Sequence, residues 1–146
     1  MLRGVVAERE CAVGTERVSA EHIGEFRYLD AVMKESARLT PATTDVARVV
    51  KRPLRIGGIN LPAGAGVSAG IYLTHHRADL WPDPERFDPE RFIRARPSPY
   101  SYFPFGGGDR RCLGAAFSTR MRPAFHAITI SPSGGVPVII DRRTMR

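Results

Sequence analysis

The spacing of apolar residues predicts two helices in the first forty positions of the chain. Residues 1–10 carry apolar side chains at helical spacing and predict a short helix. A stronger helical period precedes Pro41, where a helix cannot continue. Its apolar positions are Leu29, Val32, Met33 and Ala37.

β-branched residues dominate the segment that follows. Val46 to Val50 predicts a strand. Residues 54–56 and 59–61 flank a Gly-Gly pair in the pattern of a β-hairpin, and a further strand is expected over 66–68. Helices followed by short strands indicate an α+β fold.

From position 81 prolines replace the periodic pattern. Residues 81–92 read WPDPERFDPERF, and prolines at this density exclude a regular helix or a central strand. The aromatic residues between them predict a loop that is held against a core. Near the C-terminus, β-branched runs over 127–130 and 136–140 predict a terminal hairpin. Pro123 limits any helix after residue 112 to about two turns.

Length and composition narrow the class of protein. The 146 residues predict a single domain. No apolar run reaches the ~18 residues that a membrane span requires, and the N-terminus lacks the apolar core of a signal peptide. A cytoplasmic location without membrane contact is therefore expected.

The spacing of the cysteines and histidines is not that of a zinc site or a disulfide framework. Cys11 and Cys112 are far apart in the chain, which indicates neither a zinc site nor a disulfide. His75 and His76 are adjacent, so they point in different directions and are expected to be structural or surface residues.

The net charge of +7 makes nucleic acid a partner to consider. The basic residues are scattered, however, and nearly all are arginine, since Lys34 and Lys51 are the only lysines. We therefore expect no nucleic-acid binding, and a basic nucleic-acid-binding or scaffold protein stays a lower alternative.

The densest chemical pattern is FGGGDRRCLG, residues 105–114. Glycine runs mark backbone that adopts positive φ or passes close to a ligand. Cys112 is expected at the start of a helix, where the helix dipole and the charges of Arg110 and Arg111 favour the metal-binding thiolate.

The segment FxxGxRxCxG resembles the haem-binding loop of the cytochrome P-450 family, the haem-thiolate monooxygenases. The resemblance implies that the cofactor is haem b and that Cys112 is the axial ligand of its iron. It also implies that Phe105 packs beside the thiolate, that Arg110 pairs with a haem propionate, and that Gly114 lets the helix lie flat against the porphyrin.

Two further motifs extend the resemblance. Glu35 and Arg38, spaced i, i+3, match the family's ExxR motif, although such a pair by itself is typical of a helix surface. The second PERF string, residues 89–92, resembles the family's stretch before the haem loop, and the resemblance implies that Arg91 forms a buried structural triad with these two residues. The first copy offers Arg86 instead, but the spacing to the cysteine favours Arg91. Arg48 is a candidate for a second propionate-binding residue, with a solvated strand residue about equally expected.

The resemblance covers about residues 17–117 and implies a partial cytochrome P-450 fold. Its parts are the ExxR helix, a small antiparallel sheet, a strand end passing into a short helix over 69–77, a proline-rich meander, the cysteine haem loop, a shortened post-cysteine helix and a terminal β-hairpin. Residues 1–146 are accordingly expected to be a single C-terminal haem-binding fragment, without the distal and substrate-binding parts.

The family reaction inserts one oxygen atom of O₂ into a small hydrophobic organic substrate, with electrons from a ferredoxin- or reductase-type donor. A basic surface near Arg111, Arg120 and Arg122 would suit an acidic donor. Because the fold is incomplete, no catalytic residue is assigned and the chain alone is expected to be inactive. The alternative is a non-catalytic truncated remnant with weak or no haem binding.

Overall fold

The structure is a computed structural model that describes residues 2–16 and 18–115. Four helices and four strands lie in this part of the chain, with short 3₁₀ turns at Ala20–Glu25 and Gly108–Arg110. In order they are α1 (Leu2–Val13), α2 (Arg27–Leu39), β1 (Asp45–Val49), β2 (Leu54–Ile56), β3 (Ile59–Leu61), β4 (Gly66–Gly70), α3 (Ile71–His75) and α4 (Arg91–Arg94). The predicted terminal hairpin, and the post-cysteine helix beyond residue 115, lie outside the described residues.

Helix α2 is the element on which the others pack. It contacts α1, α3 and α4. Its buried residues are Ala31, Glu35 and Arg38, so its inner face carries charges as well as apolar groups. The helix ends where the N–H of Thr40 donates to the carbonyl of Ser36, and the proline that follows prevents another turn.

The four strands form two separate antiparallel pairs. Strand β1 pairs with β4, which places Arg48 opposite Val67, while β2 and β3 form the predicted hairpin. The hairpin turn requires positive φ at two successive positions, and Gly57 and Gly58 supply it at 54° and 85°. Strand β4 passes directly into α3, as expected for residues 69–77.

The proline-rich segment is held against α2 by aromatic rings. The ring of Phe92 lies 5.8 Å from that of Trp81 and 4.9 Å from that of Tyr102. The hydroxyl of Tyr102 donates to the carbonyl of Lys34 at 3.1 Å. These contacts fix the position of the meander, as the alternation of prolines and aromatics predicts. It has no regular secondary structure over residues 81–90, but the short helix α4 begins at Arg91, inside the segment where the prolines were expected to exclude a helix. None of the helices within residues 2–16 and 18–115 has the length and apolar character needed to cross a membrane.

Helix α1 is attached to the start of α2 by a carboxylate that the sequence patterns did not indicate. The oxygens of Glu8 accept hydrogen bonds from the N–H groups of Tyr28 at 2.6 Å and Leu29 at 2.9 Å. The first N–H groups of a helix have no partner within the helix, and its N-terminal end favours negative charge. Glu8 therefore caps α2 from a separate helix.

Replacement of Glu8 by alanine should lower the free energy of unfolding by about 1 kcal/mol, the usual cost of losing a helix cap. Urea unfolding monitored by circular dichroism measures the change. Glu10→Ala is the matched control, since Glu10 is an exposed residue of the same helix. Equal stability of the two variants would show that the Glu8 contacts contribute nothing.

Candidate haem site

Two oppositely charged side chains lie completely buried on α2. Glu35 and Arg38 are both 0% exposed. The Nε of Arg38 donates to Oε2 of Glu35 at 2.8 Å, and its Nη2 donates to Oε1 at 2.9 Å. A bidentate pair of this kind is among the stronger side-chain contacts in proteins.

Arg91, at the start of α4, joins the same carboxylate. Its Nε donates to Oε1 of Glu35 at 3.1 Å, and the N–H of Asp88 donates to that oxygen at 2.9 Å. Arg86, the arginine of the first PERF copy, has an exposed side chain. It contacts the two other arginines through its carbonyl oxygen, which accepts from Arg91 at 3.2 Å and from Arg38 at 3.4 Å. The structure thus brings together Glu35, Arg38 and Arg91.

Arg38 also connects α2 to two other parts of the chain. Its Nη1 donates to the carbonyl of His75 at 2.7 Å and its Nη2 donates to the carbonyl of Pro84 at 2.7 Å. The guanidinium lies 5.3 Å from the centre of the Trp81 ring. A buried charge is tolerated when its donors are satisfied, and these contacts provide that condition.

The environment of Glu35 determines its ionisation. Burial alone would raise the pKa of Glu35. The hydrogen bonds from Arg38 and from the N–H of Asp88, together with the charges of Arg38 and Arg91, outweigh burial and lower the pKa below its ordinary value. Glu35 is therefore a carboxylate at neutral pH and balances part of the arginine charge.

His75, expected from the sequence to be a structural or surface residue, is a third buried polar residue at this site. Its Nε2 accepts a hydrogen bond from the N–H of Phe103 at 3.1 Å, and its Nδ1 lies 3.2 Å from the carbonyl oxygen of Arg38. Because Nε2 accepts, Nδ1 carries the proton that is donated to the carbonyl. Burial, together with the charge of Arg38, lowers the pKa of His75 to about 4. His76, its neighbour, is half-buried and stacks on Tyr72.

The glycine loop folds back on itself between Phe103 and Cys112. The N–H of Gly106 donates to the carbonyl of Phe103 at 2.9 Å, and the N–H of Cys112 donates to the carbonyl of Phe105 at 3.0 Å. Gly106 and Gly108 have φ values of 70° and 66°, which other residues rarely adopt. The glycines therefore serve the loop conformation and bring Cys112 next to the backbone of Phe105.

Cys112 has an exposed thiol at the end of this loop. The N–H of Ala115 donates to the carbonyl of Cys112 at 3.2 Å, and the backbone at Ala115 is already helical. A Cβ on Gly114 would lie 3.7 Å from the Cys112 sulfur, so this glycine lies beside the thiol. Cys11 is also exposed, but it lies on α1.

The two candidate propionate-binding arginines line one cavity. Arg48, from β1, and Arg110, from the loop, both border a space of about 800 Å³. A second space, of about 690 Å³, also touches Arg48 and is lined by Val46, Val67 and Phe103, among others. Gly107 and Gly108 border it as well, and a Cβ at either would meet no atom within 4 Å.

These residues fit haem b. These spaces offer apolar side chains and bare glycine backbone to its apolar ring, and two arginines to its two carboxylates. The loop that carries Arg110 also carries the Cys112 thiol, which could bind the iron. Half-buried Phe105 lies in the same loop. Arg111 is exposed, whereas Arg120 and Arg122 lie outside the described residues. Haem iron can be held by a cysteine thiolate, and the exposed Cys112 offers a thiol in this loop.

Comparison with known proteins agrees with this geometry. The sequence model of the family described as Cytochrome P450 matches residues 3–130. The chain belongs to the cytochrome P-450 family, whose members are haem-thiolate monooxygenases and bind haem b.

Similarity to individual relatives is high over a limited length. The chain is 53% identical over 91 residues to Putative cytochrome P450 135B1 of Mycobacterium bovis, which covers 62% of this chain and 19% of the relative. It is 44% identical over 96 residues to Cytochrome P450 3A16 of Mus musculus, covering 64% and 19%. The chain therefore spans about a fifth of the length of the curated relatives that it matches.

Solved structures show the same relation in three dimensions. A retinoic acid-bound cyanobacterial CYP120A1 superimposes with a TM-score of 0.72 at 37% identity, covering 80% of this chain and 27% of that one. A zebra fish cytochrome P450 with abiraterone gives a TM-score of 0.73 at 32% identity, covering 81% and 29%. The described helices and small antiparallel sheets are a partial cytochrome P-450 fold.

Proposed function

We propose that this chain supplies the proximal haem-binding part of a haem-thiolate monooxygenase, with Cys112 as the axial ligand of the iron. The observation that carries the proposal is the position of Arg110. It lies two residues before Cys112 and borders the same cavity as Arg48 from β1. One loop thus presents a thiol and a cation together, which matches an iron bound in a ring that carries carboxylates.

Each residue of the site has a role that follows from its chemistry. Arg48 and Arg110 pair with the propionates, because a guanidinium forms bidentate hydrogen bonds with a carboxylate. Phe105 packs beside the thiolate in this proposal, and Gly114 leaves room beside the sulfur. Glu35, Arg38 and Arg91 do not touch the cofactor in this proposal. They hold the meander, and hence the start of the glycine loop, against α2.

The reaction that this site would serve is the insertion of one oxygen atom of O₂ into an organic substrate. When bound, a thiolate-ligated haem supplies the electron density that favours cleavage of the O–O bond. The electrons would come from a ferredoxin- or reductase-type donor, and exposed Arg111 beside the thiol suits an acidic partner. Small hydrophobic substrates and a cytoplasmic location stay predictions.

Replacement of Cys112 by serine should abolish thiolate ligation, whereas Cys11→Ser should not change it. The full chain is reconstituted with haem and reduced, and its carbon monoxide difference spectrum is recorded. Thiolate-ligated ferrous haem gives a strongly red-shifted band, which we expect for the unmodified chain and for Cys11→Ser only.

Three results of this experiment have different meanings. A red-shifted band that persists in Cys112→Ser would exclude Cys112 as the ligand. Haem binding without the shifted band in the unmodified chain would mean that the thiol is not coordinated. No haem binding by a folded chain would favour the alternative, a non-catalytic remnant.

A further inference from the structure

We propose that His75 is a positioning residue that fixes the haem loop to the buried charge network through both nitrogens of its ring. One nitrogen binds Arg38 in α2, and the other binds Phe103, two residues before the glycine motif begins. The consequence for haem rests on the function proposed above. The structural link itself does not depend on it.

His75 and Arg38 form a reciprocal pair. The Nη1 of Arg38 donates to the carbonyl of His75 at 2.7 Å, while the ring Nδ1 of His75 donates to the carbonyl of Arg38 at 3.2 Å. Each side chain therefore binds the backbone of the other residue. This double contact fixes α3 against α2 and orients the imidazole so that Nε2 faces Phe103.

From Phe103 a series of backbone hydrogen bonds leads to the thiol-bearing residue. The carbonyl of Phe103 accepts from the N–H of Gly106 at 2.9 Å, and the carbonyl of Phe105 accepts from the N–H of Cys112 at 3.0 Å. His75 binds the N–H of Phe103, the residue from which this series begins. A displaced Phe103 would therefore displace the turn that positions Cys112.

Burial and aromatic contacts restrict the orientation of the His75 ring. The residue is 0% exposed, and its ring stacks on Tyr102 at 5.4 Å and meets Phe103 edge-on at 5.5 Å. The titratable groups around it are Arg38, whose charge is paired with Glu35, the adjacent His76 and the Tyr102 phenol. Burial raises the pKa of Tyr102 well above its usual range, so this phenol is neutral.

The hydrogen bonds determine which form of the imidazole is compatible with the loop. Nε2 accepts from Phe103, so it must lack a proton, and Nδ1 must carry one. A protonated imidazole would direct an N–H at the N–H of Phe103 and lose that bond. Acid should therefore release the loop at Phe103 while leaving the contact with Arg38 possible.

Two variants of the full chain separate the effect of the His75 hydrogen bonds from the effect of its ring packing. His75→Phe keeps a ring of similar size and removes both hydrogen bonds, whereas His75→Gln keeps a neutral donor and acceptor. His76→Phe is the matched control at the adjacent histidine. Amide hydrogen exchange is measured at pH 7 without haem. The protection of the Phe103 amide should fall at least tenfold in His75→Phe and should be partly restored in His75→Gln. It should not change in His76→Phe. Undiminished protection in His75→Phe would overturn the proposal.

The unmodified chain provides a test that does not depend on the folding of a variant. Nitrogen-15 NMR of the His75 ring at pH 7 should show the neutral form protonated at Nδ1. The form protonated at Nε2 would overturn the proposal, because it cannot accept from Phe103.

Haem titration then examines the functional consequence. We expect His75→Phe to bind haem about tenfold more weakly than the unmodified chain, with His75→Gln between them. If the unmodified chain takes up no haem, the proposed function fails, whereas loss of Phe103 protection in His75→Phe would still support the link. If haem binds and His75→Phe alters neither affinity nor protection, the positioning role is wrong.

Discussion

Replacement of Arg38 by alanine should destabilise the protein by about 3–5 kcal/mol, the usual cost of breaking a buried ion pair. In the variant, the buried carboxylate of Glu35 loses the hydrogen bonds and the positive charge of Arg38. The carbonyls of His75 and Pro84 also lose the guanidinium that donates to them. A domain typically has about 5–15 kcal/mol of stability in total. We therefore expect little soluble folded protein.

Arg86→Ala is the matched control for this prediction. Arg86 belongs to the first of the two identical PERF strings, and its contact with the network is made by its backbone carbonyl, which alanine retains. Soluble yield and urea unfolding of the two variants provide the comparison. If Arg86→Ala were as damaging as Arg38→Ala, the buried network would not be the source of the stability.

The sequence was sufficient to predict the helix with Glu35 and Arg38, because spacing along one helix is a local property. It also indicated the hairpin. The passage from β4 to α3 was ambiguous by periodicity and was expected only from the family resemblance. The choice between Arg86 and Arg91 was harder, since both occur in the same four letters. Only the path of the meander around α2 decides which guanidinium reaches the carboxylate, and this path depends on aromatic packing between distant segments.

Glu8 and His75 could not be found from sequence patterns. Glu8 binds backbone N–H groups 20 and 21 positions away, and His75 binds backbone groups 28 and 37 positions away. Backbone groups are the same in every residue, so a side chain that binds them has no complementary partner in the sequence. In both cases the signal appears only when the helices are packed.

The stability of the protein should fall as the pH is lowered from about 6.5 to 4. The unfolded chain takes up a proton at His75 near the ordinary pKa of 6.5, while the folded chain resists protonation until about pH 4. Between these values the unfolded state binds more protons, so acid favours unfolding. The difference amounts to about 3 kcal/mol at pH 4, because each pKa unit corresponds to about 1.4 kcal/mol.

Glu35 adds a second loss at lower pH. Its pKa in the folded state lies below the ordinary value of 4.5, so its contribution is present above that value and disappears as the pH falls through the folded pKa. His75 and Glu35 therefore lower the stability in successive ranges of pH as acid is added. Between pH 6.5 and 4.5 the contribution of Glu35 is still present, so the effect of His75 can be measured separately from that of Glu35 in this range.

Urea unfolding at pH 7.5, 5.5 and 4.5 can isolate this contribution. His75→Gln retains a donor and an acceptor but does not titrate, so its free energy of unfolding should vary much less over this range than that of the unmodified chain. His76→Gln, at the half-buried adjacent position, should retain the full dependence. A His75→Gln variant with the same pH dependence as the unmodified chain would mean that another group causes the acid sensitivity, and that the buried imidazole is not held neutral by its surroundings.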